Sequence, residues 1–378
     1  MRVALITDGI SPYVLGGMQK HSFYLAKFFA KNKIHVDLFH YNDSVFDIDE
    51  MEFFSEQEKK FIHSNVLNFP TSFRFPGHYI FNSYRYSCSI FNLIKNKVTS
   101  YDFIYTKGFS GWKLISEKNK GNIFCCKIGV NFHGYEMFQI SPEPKAKLQQ
   151  LFLIPFVKKI SQQADVVFSY GGKITKIIQS IGVKPNRIIE IPSGVEKKII
   201  CSSVSQHQEP CKKFIFVGRA ERRKGIKELN NVLRKLISEN LTFKFEFIGP
   251  IPDFLKINHQ SILYYGEIRE HDRIKNLLSK SDILVCPSWS EGFPNVILEG
   301  MACGLSIIAT NVGAVSSMVN EENGWLIEPG NEVELEKVIK QAIYSADLHL
   351  KKEKSLSLVT NHFNWDIISN KLISVLKT

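Results

Sequence analysis

The sequence predicts an α/β protein in which two doubly wound parallel sheets, each Rossmann-like, face each other across a cleft. Two observations carry this. Short β-rich runs alternate with longer helix-period stretches along all 378 residues, and most of these runs are apolar throughout, as strands covered on both faces must be. A polar stretch, Glu196–Lys213, which contains Pro210 and lacks periodicity, separates two halves of similar strand content and reads as an interdomain linker. The length suits two domains.

In the first half the predicted strands are Arg2–Asp8, His35–Tyr41, Asp102–Thr106, Ile123–Val130, Asp165–Tyr170 and Arg187–Ile191. In the second they are Phe214–Gly218, Phe245–Ile248, Ile262–Tyr265, Ile283–Pro287, Ser306–Thr310 and Trp325–Ile327. Helix-period segments lie between them, among them Lys20–Asn32, Ile226–Glu239 and Glu332–Ser345. In doubly wound sheets ligands bind beyond the carboxyl ends of the strands, so two facing sheets place a site between domains.

Hydrophobic residues make up 44% and charged residues 22%, an ordinary globular composition. No apolar run approaches the roughly 18 residues that span a bilayer. The opening MRVALITD reads as a first strand rather than a signal peptide. The seven cysteines are Cys88, Cys125, Cys126, Cys201, Cys211, Cys286 and Cys303. An odd number with irregular spacing and no Cys-x-x-Cys points to a reducing, cytoplasmic setting rather than to disulfides or zinc.

Net charge is +11. Residues 1–200 carry 26 Lys+Arg against 16 Asp+Glu, leaving 22 against 21 for the rest. The basic half suits an anionic partner such as a phospholipid surface or a pyrophosphate-bearing acceptor; a generally basic, solvated surface accounts for it equally. The stretch Ser64–Ile94 interleaves Phe69, Phe73, Phe75, Tyr79, Phe81, Tyr84, Tyr86 and Phe91 with Arg74 and Arg85. It fits a membrane interface, or a helical insertion packed on its own domain, which is the commoner outcome. No nucleic-acid recognition motif accompanies it.

The strongest chemical signal is SDILVCPSWSEGFPNVILEGMACGLSIIAT, Ser281–Thr310. A strand ends in a loop, and a helix begins near Pro294, proline being favoured at a first helical position. Its free N–H groups suit a diphosphate or a sugar hydroxyl. Glu291 lies in the loop before the helix and Glu299 about one turn inside it, aimed at different parts of one ligand. In FIFVGRAERRKGI, Arg219 and Lys224 follow the first strand of the second half and can reach the cleft. They would neutralise a departing diphosphate, whereas Arg222 and Arg223 read as a surface turn. Gly16 and Gly17 follow the first strand and open a helix, where the backbone can approach a ligand. They form no Gly-x-Gly-x-x-Gly dinucleotide fingerprint. His133 stands at a strand end in VNFHGYEMF, as apt to be structural as to face the cleft.

Taken in order, GGMQKHSFYLAKFFAKNKIHV, NFHGYE, IPSGVE, GRAERRKG and EGFPNVILEGMACG resemble the motifs of the family-four retaining glycosyltransferases with the GT-B fold. The resemblance covers nearly the whole chain. It implies an acceptor-binding domain over residues 1–198 and a donor-binding domain over 199–360. Phe363–Leu376 resembles the family's final helix, so a C-terminal helix, about 361–378, is expected to cross back to the first domain.

The resemblance also implies roles. Arg219 and Lys224 would grip the diphosphate of a UDP- or GDP-linked sugar. Glu299 would bind the ribose and Glu291 the transferred sugar. The N–H groups of Gly17, Phe293 and Asn295 would contact sugar or phosphate. His133 would sit over the reacting carbon, and Gln19 would face a glycan or lipid-linked acceptor. The base would lie near Gly249 and Tyr265–Ile268, with Ile268 among its contacts. Front-face transfer with retention needs charge stabilisation rather than a metal. The one Asp-x-Asp, Asp47-Ile48-Asp49, is far from the donor motifs, so no metal and no cofactor are expected. Gly300 stands where the family often has Ala, and Ser193 where it often has Asn; neither alters a charged role. The Lys-, Asn- and Phe-rich style resembles bacterial enzymes of lipopolysaccharide, O-antigen and capsule synthesis, peripheral on the inner membrane face. A sugar-nucleotide epimerase shares the α/β pattern but would want the missing fingerprint. A non-catalytic glycan-binding homologue would not need Arg219, Lys224, Glu291 and Glu299 intact.

Overall fold

The computed structural model describes residues 1–14, 16–42, 51–72, 75–204 and 211–377. Asp47-Ile48-Asp49, Phe73, Arg74 and Pro210 lie outside the described residues. Two parallel sheets organise the chain. The first contains β1 (Arg2–Ile6), β2 (His35–Tyr41), β3 (Ile62–Leu67), β4 (Phe103–Lys107), β5 (Ile128–Asn131), β6 (Val166–Ser169) and β7 (Ile188–Glu190), in the order β3-β2-β1-β4-β5-β6-β7. The second contains β8 (Lys212–Val217), β9 (Phe243–Ile248), β10 (Ile262–Tyr264), β11 (Ile283–Cys286), β12 (Ser306–Thr310) and β13 (Gly324–Ile327), in the order β10-β9-β8-β11-β12-β13. Each sheet reverses its winding beside its first strand, at β1/β4 and at β8/β11. The loops leaving those strands open a crevice.

Two predictions about strands need correction. The first sheet gains β3, where only Ile62 and Leu67 at the ends are buried. The polar middle, His63-Ser64-Asn65, hid this edge strand, and Ser64–Leu67 belong to it rather than to a helical insertion. The predicted strand Ile123–Val130 starts only at Ile128; residues 123–127 are irregular.

The helices of the first half are α1 (Gly17–Lys31), α2 (Glu56–Lys59), α3 (His78–Ile94), α4 (Trp112–Asn119), α5 (Pro144–Leu151), α6 (Ile154–Gln163) and α7 (Lys173–Ser180). Those that follow are α8 (Ile226–Ser238), α9 (His271–Ser279), α10 (Asn295–Ala302), α11 (Glu332–Ile343), α12 (Leu348–His362) and α13 (Trp365–Leu376). Helix α1 buries His21, Tyr24, Leu25, Phe28 and Phe29, the three- and four-residue spacing of one apolar face. The aromatic segment splits between its two expected destinations. Tyr86 is buried and donates to the Thr7 carbonyl at 2.9 Å, while Phe75, Tyr79 and Phe81 stay exposed.

The chain crosses between the halves twice, at neighbouring points. Val195 N–H donates to the Phe363 carbonyl at 2.9 Å, and Trp365 N–H returns a bond to Val195 at 3.0 Å. Helix α13 then packs on α1. Trp365 is fully buried in the first sheet's core, its ring 5.3 Å from His21, 5.4 Å from Tyr24 and 5.7 Å from Phe28.

Candidate active site

The two switch points face each other. The loops after β8 and β11 supply Lys224 and Glu291, and the loops after β1 and β5 supply Gly17 and His133. Lys224 ends a short 3-10 turn, Arg222–Lys224, closed by Gly225 at φ 73°. A side chain at Gly225 would meet the Pro287 carbonyl oxygen at 1.9 Å. Only glycine permits this approach of the β8 loop to the β11 loop, and the approach delivers Lys224 to Glu291.

Glu291 is buried, yet its carboxylate is well partnered. Lys224 Nζ lies 2.6 Å from Oε1, Ser288 Oγ donates to the same oxygen at 2.8 Å, and Arg223 lies 3.5 Å from Oε2. Burial alone would raise this carboxyl; the charges of Lys224 and Arg223 outweigh it and hold the group below its usual range. Arg223 also faces Glu136 at 4.0 Å and Glu221 at 2.8 Å. The sequence places Arg222 and Arg223 together in a surface turn; both are instead part-buried, and they diverge. Arg222 turns away to pair with Glu228 at 2.6 Å, whereas Arg223 belongs to the cleft. Consecutive residues of a tight turn point in different directions, which their shared charge cannot reveal.

The halves touch closely here. Gln139 donates to the Glu291 carbonyl at 2.6 Å and accepts from the Glu291 N–H at 3.4 Å. A side chain at Gly292 would meet the His133 carbonyl oxygen at 2.6 Å. Helix α10 begins at Asn295 with Pro294 as its N-cap, one residue later than predicted, and no side chain caps it. Its first N–H groups remain available to an anion. Glu299, one turn on, forms an ion pair with Lys20 of α1. Lys20, Tyr24, Gly194, Val195, Ile199, Asn295 and Glu299 line a small interdomain pocket.

His133 has φ 60°, a left-handed backbone held by a bond from its N–H to Asn131 Oδ1 at 2.9 Å. Its Nδ1 lies 2.9 Å from the Tyr170 hydroxyl. Its Nε2 faces Gly17, where a methyl would stand 3.2 Å from Nε2 and 4.0 Å from Asn295 Nδ2. Burial, with the charges of Lys107 and Arg223, pushes the imidazole down to about 3, so it is neutral at physiological pH. Beneath it Lys107 is fully buried, and burial drives its ammonium well below the usual range against the pull of Asp8. Asp8 accepts from Gln19 at 3.1 Å, and burial lifts its carboxyl to about 6.

Gly17, His133, Lys224, Glu291, Asn295 and Glu299 are thus gathered around the cleft, with the Phe293 ring 5.3 Å from Tyr170. Arg219 lies at the rim; its side chain is 69% exposed and pairs with Glu221 at 2.8 Å. Ile268 is buried in apolar core and takes part in none of these contacts. The sequence reading missed Asp8, Lys20, Lys107, Gln139, Tyr170 and Arg223. Lys107 and Tyr170 end apolar runs, and a polar residue at a strand's carboxyl end was the available signal for both.

A family model described as Glycosyltransferase Family 4 matches residues 15–198, and one described as Glycosyl transferases group 1 matches residues 211–344. An uncharacterised glycosyltransferase of Methanocaldococcus jannaschii is 30% identical over 48% of this chain and 51% of its own length, so the match spans about half of that relative. The UDP-Gal:alpha-D-GlcNAc-diphosphoundecaprenol alpha-1,3-galactosyltransferase of Escherichia coli is 24% identical over 73% of this chain and 74% of its own. The structure of sucrose-phosphate synthase from Thermosynechococcus elongatus superposes with a TM-score of 0.78 at 19% identity, covering 99% of this chain and 98% of that one, a likeness of fold. With a family 4 region ending where the first sheet ends and a group 1 region built on the second, the chain belongs to the glycosyltransferases of GT-B fold.

Proposed function

We propose that the protein transfers a hexose or N-acetylhexosamine, with retention, from a UDP- or GDP-linked sugar to a glycan or lipid-linked acceptor in bacterial surface-polysaccharide synthesis. The observation that carries the reading is the half-buried Lys224 paired with the buried Glu291 beside Arg223, set at the β8/β11 switch point and facing His133 and Gly17. In the proposed complex the donor diphosphate lies against Lys224 and the start of α10, with Arg219 closing in from the rim. Glu291 accepts from hydroxyls of the transferred sugar, and Glu299 exchanges Lys20 for the ribose hydroxyls. As the glycosidic bond breaks, negative charge grows on the diphosphate where fixed cations already stand. The acceptor oxygen then attacks from the same face, and the diphosphate takes its proton. Positive charge from Lys224, Arg219 and Arg223 replaces a metal, so turnover is expected to persist in EDTA.

The residues 1–198 and 199–360 are proposed as acceptor and donor domains, with Gln19 and Asp8 toward the acceptor. The Escherichia coli relative's name couples UDP-Gal to a diphosphoundecaprenol-linked acceptor, which motivates a lipid-linked acceptor here. No helix among the described residues is long and apolar enough to cross a membrane. A peripheral position on the inner, anionic membrane face is proposed on the basic first half. There the α5–α6 segment exposes Leu148, Leu151 and Phe152 beside exposed Lys145, Lys158 and Lys159.

The test is a panel of nucleotide sugars screened by thermal shift, then by nucleoside-diphosphate release with undecaprenyl-diphosphate-linked acceptors. A donor that raises the melting temperature and yields a product of unchanged anomeric configuration supports the proposal. A product of inverted configuration, or free epimerised sugar with no acceptor, defeats it. Failure to float with anionic vesicles at low salt removes the membrane element alone.

A further inference from the structure

Lys107 is a fully buried ionisable side chain that the transfer chemistry leaves without a task. It closes β4 at the sheet's switch point, and it is fully buried. Its Nζ has three hydrogen-bond partners: His21 Nδ1 at 2.8 Å, the Tyr170 hydroxyl at 3.3 Å and Asn131 Oδ1 at 3.4 Å. Two of these partners hold His133. Asn131 Oδ1 also accepts the His133 backbone N–H, and the Tyr170 hydroxyl meets the His133 ring at Nδ1. One amine therefore stands behind both the strained backbone and the ring of the histidine that faces the cleft.

The arrangement fixes a direction. A tyrosine hydroxyl has one proton to give. With Lys107 donating to its oxygen, that proton is free for His133 Nδ1. If Nδ1 carried the ring proton instead, the hydroxyl hydrogen would have to turn to the single lone pair of the Lys107 amine, which is taken by His21: its Nδ1 lies 2.8 Å away, and its Nε2, without a partner among the described residues, is the ring nitrogen left bare. A bare Nδ1 on a neutral imidazole leaves the proton on Nε2, the nitrogen that faces Gly17 and Asn295.

We propose that Lys107 is a positioning residue which, through Tyr170, locks His133 as the Nε2–H tautomer, so that the ring presents a hydrogen-bond donor to an oxygen of the bound donor substrate. This rests on the transfer reading only for what occupies the cleft; the tautomer belongs to the free protein. The histidine is then an uncharged donor fixed in place rather than a base. It adds a donor to the cationic side of the cleft without the repulsion that a further positive charge beside Arg223 and Lys224 would bring.

The test is long-range proton–nitrogen correlation spectroscopy of the ligand-free, histidine-labelled protein near pH 7.5, with His133 assigned by the signals lost in His133→Asn. The wild type is expected to show a bare Nδ1 and a protonated Nε2. Tyr170→Phe keeps the ring and its packing but removes the donor, and should shift the Nδ1 signal. Lys107→Met frees the Tyr170 oxygen to accept, and should move that signal toward the protonated position. In both variants kcat should fall about fivefold to tenfold, as for one lost hydrogen bond, with donor KM changing far less. A protonated Nδ1 in the wild type overturns the proposal. So does an unaltered His133 spectrum in Tyr170→Phe, the variant that decides the matter should Lys107→Met fail to fold. If the spectra behave as expected while no sugar is ever transferred, the reading of function fails and the tautomer lock stands.

Discussion

Lys20 and Glu299 stand on helices of opposite halves and form an ion pair with each other across the cleft. If Glu299 receives the ribose hydroxyls, this pair must open when donor binds. Lys20→Met is therefore expected to tighten binding of the nucleoside diphosphate several-fold, roughly the energy of one partly exposed ion pair. Glu299→Ala should weaken it by about tenfold or more. Titration calorimetry with UDP and GDP measures both. Equal affinity in all three proteins would place the nucleotide elsewhere.

Lys224→Ala is expected to lower turnover by about 100-fold to 1,000-fold, the usual cost of removing one fixed charge from a site of charge development. The protein should stay folded, because Arg223 and Ser288 still satisfy Glu291. Steady-state kinetics beside circular dichroism separate the two effects. A folded variant with wild-type turnover would remove Lys224 from the chemistry.

Asp8 supplies a pH signature. Its folded pKa of about 6 lies above the ordinary 3.8, so the folded chain keeps a proton that the unfolded chain has released. Stability is lost as pH rises from about 4 through about 6, and the cost is then constant. Asp8→Asn removes that cost. The variant should be more stable than the wild type by about 1–3 kcal/mol at pH 8, with the gap closing at pH 4. Urea unfolding at the two pH values checks this. A gap that grows on acidification would mean that the carboxylate is stabilised in the fold rather than strained.

Gly17→Ala tests the space over the histidine. Alanine suits a helix better than glycine, so stability should hold or rise slightly. The added methyl would sit 3.2 Å from His133 Nε2, in the room assigned to the sugar and phosphate. Donor KM should rise about tenfold or more. Unchanged KM would show that the donor does not pass between Gly17 and His133.

What was legible in the sequence was what repeats or stands in local order. Apolar runs gave twelve of the thirteen strands, because most are apolar along their length whether covered on both faces or, like β7 and β10, on the sheet edge. β3 escaped because its middle, His63-Ser64-Asn65, is polar and leaves only Ile62 and Leu67 buried. Lys224, Glu291 and Glu299 were legible because each sits in a loop or helix start whose geometry is set by adjacent glycine and proline. Lys107 and Tyr170 were not, although both close apolar strands. Their meaning lies in each other and in His133, residues brought together only by the winding of the sheet. Arg223 and Arg222 share a charge and a turn, and only coordinates separate the one that meets Glu291 from the one that meets Glu228.

The return of α13 to α1 bears on how the protein is made. Until the ribosome has polymerised past Trp365, the first-synthesised half has an unfilled slot beside His21, Tyr24 and Phe28. That half therefore waits, with its greasy groove open, for α13 to emerge. A chain cut before Trp365 would keep every cleft residue and still leave that groove exposed to chaperones and proteases.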